Sequence, residues 1–197
     1  MSEYQNTYNY RAGIRSKPAS LVVTDGRLIA QEEGKQDACW NLSDITQVNL
    51  RYDPTRFCRN RFRMMLQNTA GNGLTVSNVS FKGFADFDDQ SDTYRQFVST
   101  LHAALLAQGA QTRFLGGLSR TSYWLHWILT GVAAIAVVMA SLAFFALGLS
   151  WLILIKVALI AFYFPTLLAF MRRSRPTNYA ADAIPERLLP SPASQQE

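Results

Sequence analysis

The sequence predicts an α+β chain: short strands forming a small antiparallel β-barrel or sandwich, an amphipathic helix lying on the sheet, and then a two-helix transmembrane hairpin. Three observations carry this. Up to about residue 80, apolar residues alternate with the period of a strand. Tyr94, Phe97, Val98, Leu101 and Leu105 recur with the spacing of one helical face. From Thr121 to Ile155, 35 consecutive residues carry no charge.

Taken in order, a polar opening holds a strand near Tyr8–Ala12. LVVT-DG-RLIA then reads as a hairpin, because Asp25-Gly26 suits a turn with two positive φ angles. Residues 38–42 alternate, with Ala38, Trp40 and Leu42 on one face. Val48, Leu50 and Tyr52 share a face in the next run, as do Phe62, Met64 and Leu66 in the one after. Past Gly71-Asn72-Gly73, Leu74 and Val76 begin a strand running to about Val79. Ser91 or Asp92 can cap the helix that follows, and Gly109 can end it. This sets a domain at 1–112, a linker at 113–121, two spans within 122–171 (about 122–147 and 150–171), and a Pro-rich tail at 172–197.

The spans follow from length. Gly148-Leu149-Ser150 divides the apolar block, and either piece, at 1.5 Å per residue, crosses a ~30 Å hydrocarbon core. Trp124, Trp127 and Trp151 are placed for the membrane interface. Arg113 and Arg120 precede the first span, and Arg172, Arg173 and Arg175 follow the second, which puts both chain ends in the cytoplasm of a multi-pass inner-membrane protein. Inside the tail, Ile184, Pro185, Leu188, Leu189 and Pro190 form an apolar cluster, either frayed or docked on the chain's own domain or on a partner.

Composition narrows the class. Only 17% of residues are charged, and Lys156 is the single charge within 121–171. The net charge of +5 is small and partly flanks the apolar block, so membrane lipid is expected as a partner and nucleic acid is not. Cys39 and Cys58 have no metal-binding spacing and read as reduced thiols, and no metal or cofactor is expected. The polar N-terminus has no apolar core of a signal peptide.

The Asp25-Gly26 hairpin, the Trp40-Asn41-Leu42-Ser43-Asp44-Ile45 stretch leading into a strand, and the helix 91–108 together resemble a pleckstrin-homology-like (PH-like) domain of bacterial membrane proteins, over roughly residues 8–109. The resemblance implies a seven-stranded bent barrel plugged by its helix, binding lipid headgroups, peptides or proteins without catalysis. Phosphoinositide-binding members carry a longer basic loop between the first two strands. Here that loop is Asp25-Gly26 if Leu21–Thr24 is the first strand, and it contains Arg15 and Lys17 if Tyr8–Ala12 is.

The densest basic feature is RYDPTRFCRNRFR. Arg56, Arg59, Arg61 and Arg63 within it are expected to face anionic lipid or a partner, against the simpler reading of a solvated strand face. The acidic run Asp86–Asp92 lacks a calcium-loop order and suits a helix start. His102 is placed at a packing edge. His126 and Lys156 lie toward opposite ends of the spans and form no relay. No nucleophile elbow or phosphate loop occurs, so a non-enzymatic membrane adaptor is expected. The contrasting expectation is an accessory subunit of a transport or envelope complex, binding through its hairpin. Ala136 and Ala140 have the spacing of close helix packing, which a homo-oligomer could use.

Overall fold

The computed structural model describes residues 6–13, 16–34, 36–55, 58–83, 86–146, 167 and 170–192. The chain divides into two compact units, Met1–Gly117 together with Thr177–Glu197, and Leu118–Pro176.

The first unit is α+β. Strands β1 (Asn6–Tyr10), β2 (Ala19–Thr24), β3 (Arg27–Glu32) and β4 (Ala38–Asn41) form an antiparallel meander. Asp25 and Gly26 take φ of 44° and 72°, so two residues reverse the chain with the twist the strands require. Because β1 precedes this hairpin, the first loop is 11–18 and holds Lys17; Arg15 lies outside the described residues. A second meander follows, of β5 (Ile45–Tyr52), β6 (Phe62–Asn68) and β7 (Gly73–Ser77). Then come a separate hairpin of β8 (Val79–Gly83) and β9 (Asp86–Asp89), and helix α1 (Ser91–Ala107). The alternating residues Val48, Leu50, Phe62, Met64, Leu66 and Val76 are all buried beneath Tyr94, Phe97, Val98, Leu101 and Leu105 of α1.

Several expectations are corrected. The described residues form three sheets and no closed barrel. Where β1 and β7 would have to pair, side chains bridge instead: the Tyr8 and Tyr10 hydroxyls donate to the Ser77 and Thr75 carbonyls at 2.6 and 2.8 Å. The strand expected to reach Val79 stops at Ser77, because Asn78 leaves the ladder. Its side chain accepts from Phe62 N–H at 2.7 Å and donates to Asn60 O at 2.9 Å and Ser91 Oγ at 3.1 Å. The acidic run does not lie wholly at a helix start: Asp86–Asp89 pair with β8, and Asp89 accepts from Ser91 N–H at 2.9 Å, a capping role expected of Ser91 or Asp92. Gly109 ends α1 at φ 63°, as expected.

The stretch expected to be a linker contains β10 (Arg113–Gly116), laid parallel to β5 after the α1 crossover. A two-residue strand β11 (Thr177–Asn178) pairs antiparallel with β10, through Leu115↔Asn178 and Gly116↔Thr177. The tail thereby returns to the first unit. Leu188 and Leu189 join its core at 0% and 8% exposure, so the apolar cluster docks on the chain's own domain.

In the second unit, helix α2 (Arg120–Ala146) contains a 23-residue stretch, Arg120–Leu142, of mean hydropathy 2.0, long and apolar enough to cross a membrane. None of its apolar window is buried. It is the one such helix among the described residues. Most of the second expected span, including Trp151 and Lys156, lies outside the described residues. Within this unit Leu118 N–H donates to Ser174 O at 3.0 Å, and the Phe170 ring lies 6.3 Å from that of His126.

Candidate functional site

The basic segment spans the end of β5, the following loop and the start of β6. Arg51 and Arg63 are direct cross-strand partners. Arg61 immediately precedes β6, and its carbonyl accepts from Asp53 N–H at 2.9 Å, which sets it beside them. Among the described residues one carboxylate pairs with two of them: Asp53 lies 2.9 Å from Arg63 and 4.0 Å from Arg51. Arg61 is only 9% exposed, and its guanidinium sits 6.0 Å from the Phe81 ring centre, a cation–π placement. Burial, then the Arg63 charge, pull its pKa below the usual arginine value, while Asp53 opposes them. Arg51 Nε and Arg61 Nε are buried donors with no hydrogen-bond partner among the described residues. Arg59 is exposed, and its carbonyl accepts from the Tyr52 hydroxyl at 2.8 Å. Arg56 lies outside the described residues. The fold thus brings Arg51, Arg61 and Arg63 together, leaves Arg59 on the flanking loop, and recruits Arg51 and Asp53 as partners the four-arginine expectation did not include.

A cleft of about 810 Å³ opens between the ends of β1–β3 and the β8–β9 hairpin. Arg11, Glu32, Glu33, Asp37 and Lys82 line it, so its charge is mixed. Lys82 is held by Asp88 at 2.9 Å and Gln31 donates to Asp37 at 3.0 Å, so part of this charge is compensated locally.

The residues expected to set topology are placed as follows. Arg113 is exposed in β10, and Arg120 is exposed at the start of α2. Trp124 and Trp127 are 61% and 42% exposed on α2. Arg172, Arg173 and Arg175 are exposed where the chain leaves the second unit.

The tail contributes a site that sequence reasoning missed. His102 lies 1% exposed in α1 instead of at a packing edge. Its ring is 5.0 Å from Phe114 of β10 and 5.9 Å from Tyr179 of the returning tail. Nδ1 is 2.8 Å from the Val98 carbonyl, which can only accept, so Nδ1 carries the proton. Nε2 of the neutral ring then accepts from the Tyr179 hydroxyl at 3.0 Å. Burial pulls the His102 pKa down to about 4 and pushes that of Tyr179 up. The one signal in the sequence was Ile184–Pro190, an apolar cluster in an otherwise polar tail.

No family model matches the sequence, and no curated protein matches it. Among solved structures the chain is similar to one described as "Structure of the Spt16D Pob3N heterodimer", at 8% identity and a TM-score of 0.34. That likeness covers 60% of this chain and 56% of the other.

Proposed function

We propose that this protein is a non-enzymatic integral membrane adaptor, whose PH-like unit sits at the inner face of a bacterial cytoplasmic membrane and binds anionic lipid headgroups or a protein partner. A four-strand meander, a three-strand meander and, after the intervening β8–β9 hairpin, a helix support the PH-like reading. The anchoring half rests on one observation: the chain leaves the first unit and rejoins it through adjacent strands, with Gly116 opposite Thr177. Strand partners lie about 5 Å apart. If α2 crosses a bilayer, the chain must cross back before Thr177, so an even number of crossings is required. Helix α2, with 27 residues, is about 40 Å long, yet Phe170 is again beside His126 near its start. The charge-free run to Ile155 supplies return length of the right hydropathy.

The binding half rests on the basic face. Three guanidinium groups lie there, two of them ion-paired to the same carboxylate, with two buried Nε–H donors unpartnered among the described residues. Such a face favours an anion through charge-assisted hydrogen bonds.

A photo-crosslinking residue replacing Arg59 in the full chain, in native membranes, tests the binding reading. Capture of lipid headgroups or a partner from that position, and little from the same residue at Ile128 of α2, is the expected result. Capture through Ile128 alone would favour an accessory subunit that binds through its helices.

A further inference from the structure

The first unit is discontinuous. Its core needs Leu188 and Leu189, which the chain supplies only after the whole of Leu118–Pro176. The returning segment is fixed at four separate places. β11 completes the outer edge of the second sheet against β10. Tyr179 donates to the buried imidazole of His102. Leu188 seats over Gly116, where any Cβ would run into its Cδ1. Arg95 of α1 grips Glu186 through both carboxylate oxygens at 2.9 and 3.0 Å and donates to Pro190 O at 2.9 Å. These contacts fall on α1, β10 and the core, not on a peripheral loop.

We infer that residues 177–190 are an obligatory closing strap, so that the soluble unit completes its core only once the chain has returned to the side it left. The strap would then make folding of the binding unit conditional on correct insertion of the anchor. A chain whose second crossing failed would leave Leu188 and Tyr179 on the far side, with α1 and β10 uncovered. The conditional part rests on the reading of 118–176 as a membrane excursion; the strap itself does not.

Two variants of the full chain in native membranes test this, with protease resistance of the first unit as the readout. Leu188→Asp should shorten its lifetime under protease at least tenfold, while Leu188→Met stays within twofold of the parent. Parental resistance in Leu188→Asp would overturn the strap. In the second variant, Leu152→Arg and Leu154→Arg together block the return, and a cysteine replacing Ser194 reports the side of the tail to an impermeant thiol reagent. That variant should expose the tail outside and lose protease resistance as Leu188→Asp does. A tail outside with the first unit still resistant would overturn the coupling. A parent chain already labelled outside at Ser194→Cys would refute the anchor reading and the coupling with it, leaving the Leu188→Asp result to judge the strap alone.

Discussion

His102 shows how one buried side chain sets a measurable property of the fold. The neutral ring satisfies both nitrogens, donating to Val98 O and accepting from Tyr179, and a second proton would put two donors face to face unless the hydroxyl turned. Its pKa is 6.5 in the unfolded chain and about 4 when folded. Above 6.5 both states hold the neutral ring and the full stability is present. As pH falls from 6.5 toward about 4 the unfolded chain takes up the proton first, and stability is lost. The slope reaches about 1.4 kcal/mol per pH unit, for a total near 3 kcal/mol. Unfolding midpoints should therefore drop between pH 6.5 and pH 4.5, and His102→Leu should remove most of that slope while lowering stability at pH 7. Parallel losses in parent and variant would show that other groups carry the acid limb. Asn78 is a second such residue, holding β6, the β7–β8 break and the start of α1 together. Asn78→Leu strands a buried backbone N–H and should cost about 2–3 kcal/mol, read as a shift in denaturation midpoint; a cost within 0.5 kcal/mol, roughly that of an ordinary surface change, would contradict the hub role.

At the scale of elements, the basic segment separates into residues that hold the sheet and residues that can meet a ligand. Arg61 packs on Phe81 and is nearly covered, whereas Arg59 stands out on the loop. Replacing all four arginines together would confound the two roles. Arg59→Gln should weaken attachment of the first unit, with its returning tail, to anionic vesicles with no change in melting, by about 1 kcal/mol at most. Arg61→Gln should lower stability first. Salt should weaken the attachment of the parent, since exposed charges are screened within about 10 Å at 0.1 M; binding that ignores both salt and Arg59→Gln would place the ligand elsewhere, the mixed-charge cleft being the next place to look. Legibility differed between elements for a physical reason. Strands β5 and β6 and helix α1 bury one face along several residues, so their periodicity shows in the sequence, while β2 and β3 are marked by the Asp25-Gly26 turn between them. β10 offers only Arg-Phe-Leu-Gly and β11 two residues, too short for any period to register, and both exist because tertiary partners pair with them. Strand β9 hid within an acidic run that also suits a helix start. Of the candidate site, the arginine density was visible, but its division into buried Arg61 and exposed Arg59, and the part played by Asp53, depend on cross-strand register.

For the molecule as a whole, the pairing of β10 with β11 makes a direct prediction about what can be removed. Residues 1–112 look from sequence like a complete domain, with strands first and a closing helix last. The structure gives that piece an uncovered sheet edge at β5 and takes Leu188, Leu189 and Tyr179 away from α1. A buried leucine is worth about 2–3 kcal/mol, so losing two of them and a strand would consume much of a small domain's stability. Expressed alone, residues 1–112 should aggregate or melt without a cooperative transition. The chain's departure and return, however, are neighbours: Gly116 faces Thr177, close enough to be joined by an ordinary hairpin turn. A chain of residues 1–117 joined to 177–192 through a short Asn-Gly turn should therefore be soluble and monomeric, with strands and one helix by circular dichroism and a single cooperative melt. Gly116→Val in this shortened chain should lower its melting temperature by displacing Leu188, since overpacking costs roughly 1–3 kcal/mol. If residues 1–112 melt as cooperatively and at as high a temperature as the joined chain, the tail is an ornament on an already complete domain, and the discontinuous architecture would have no energetic meaning.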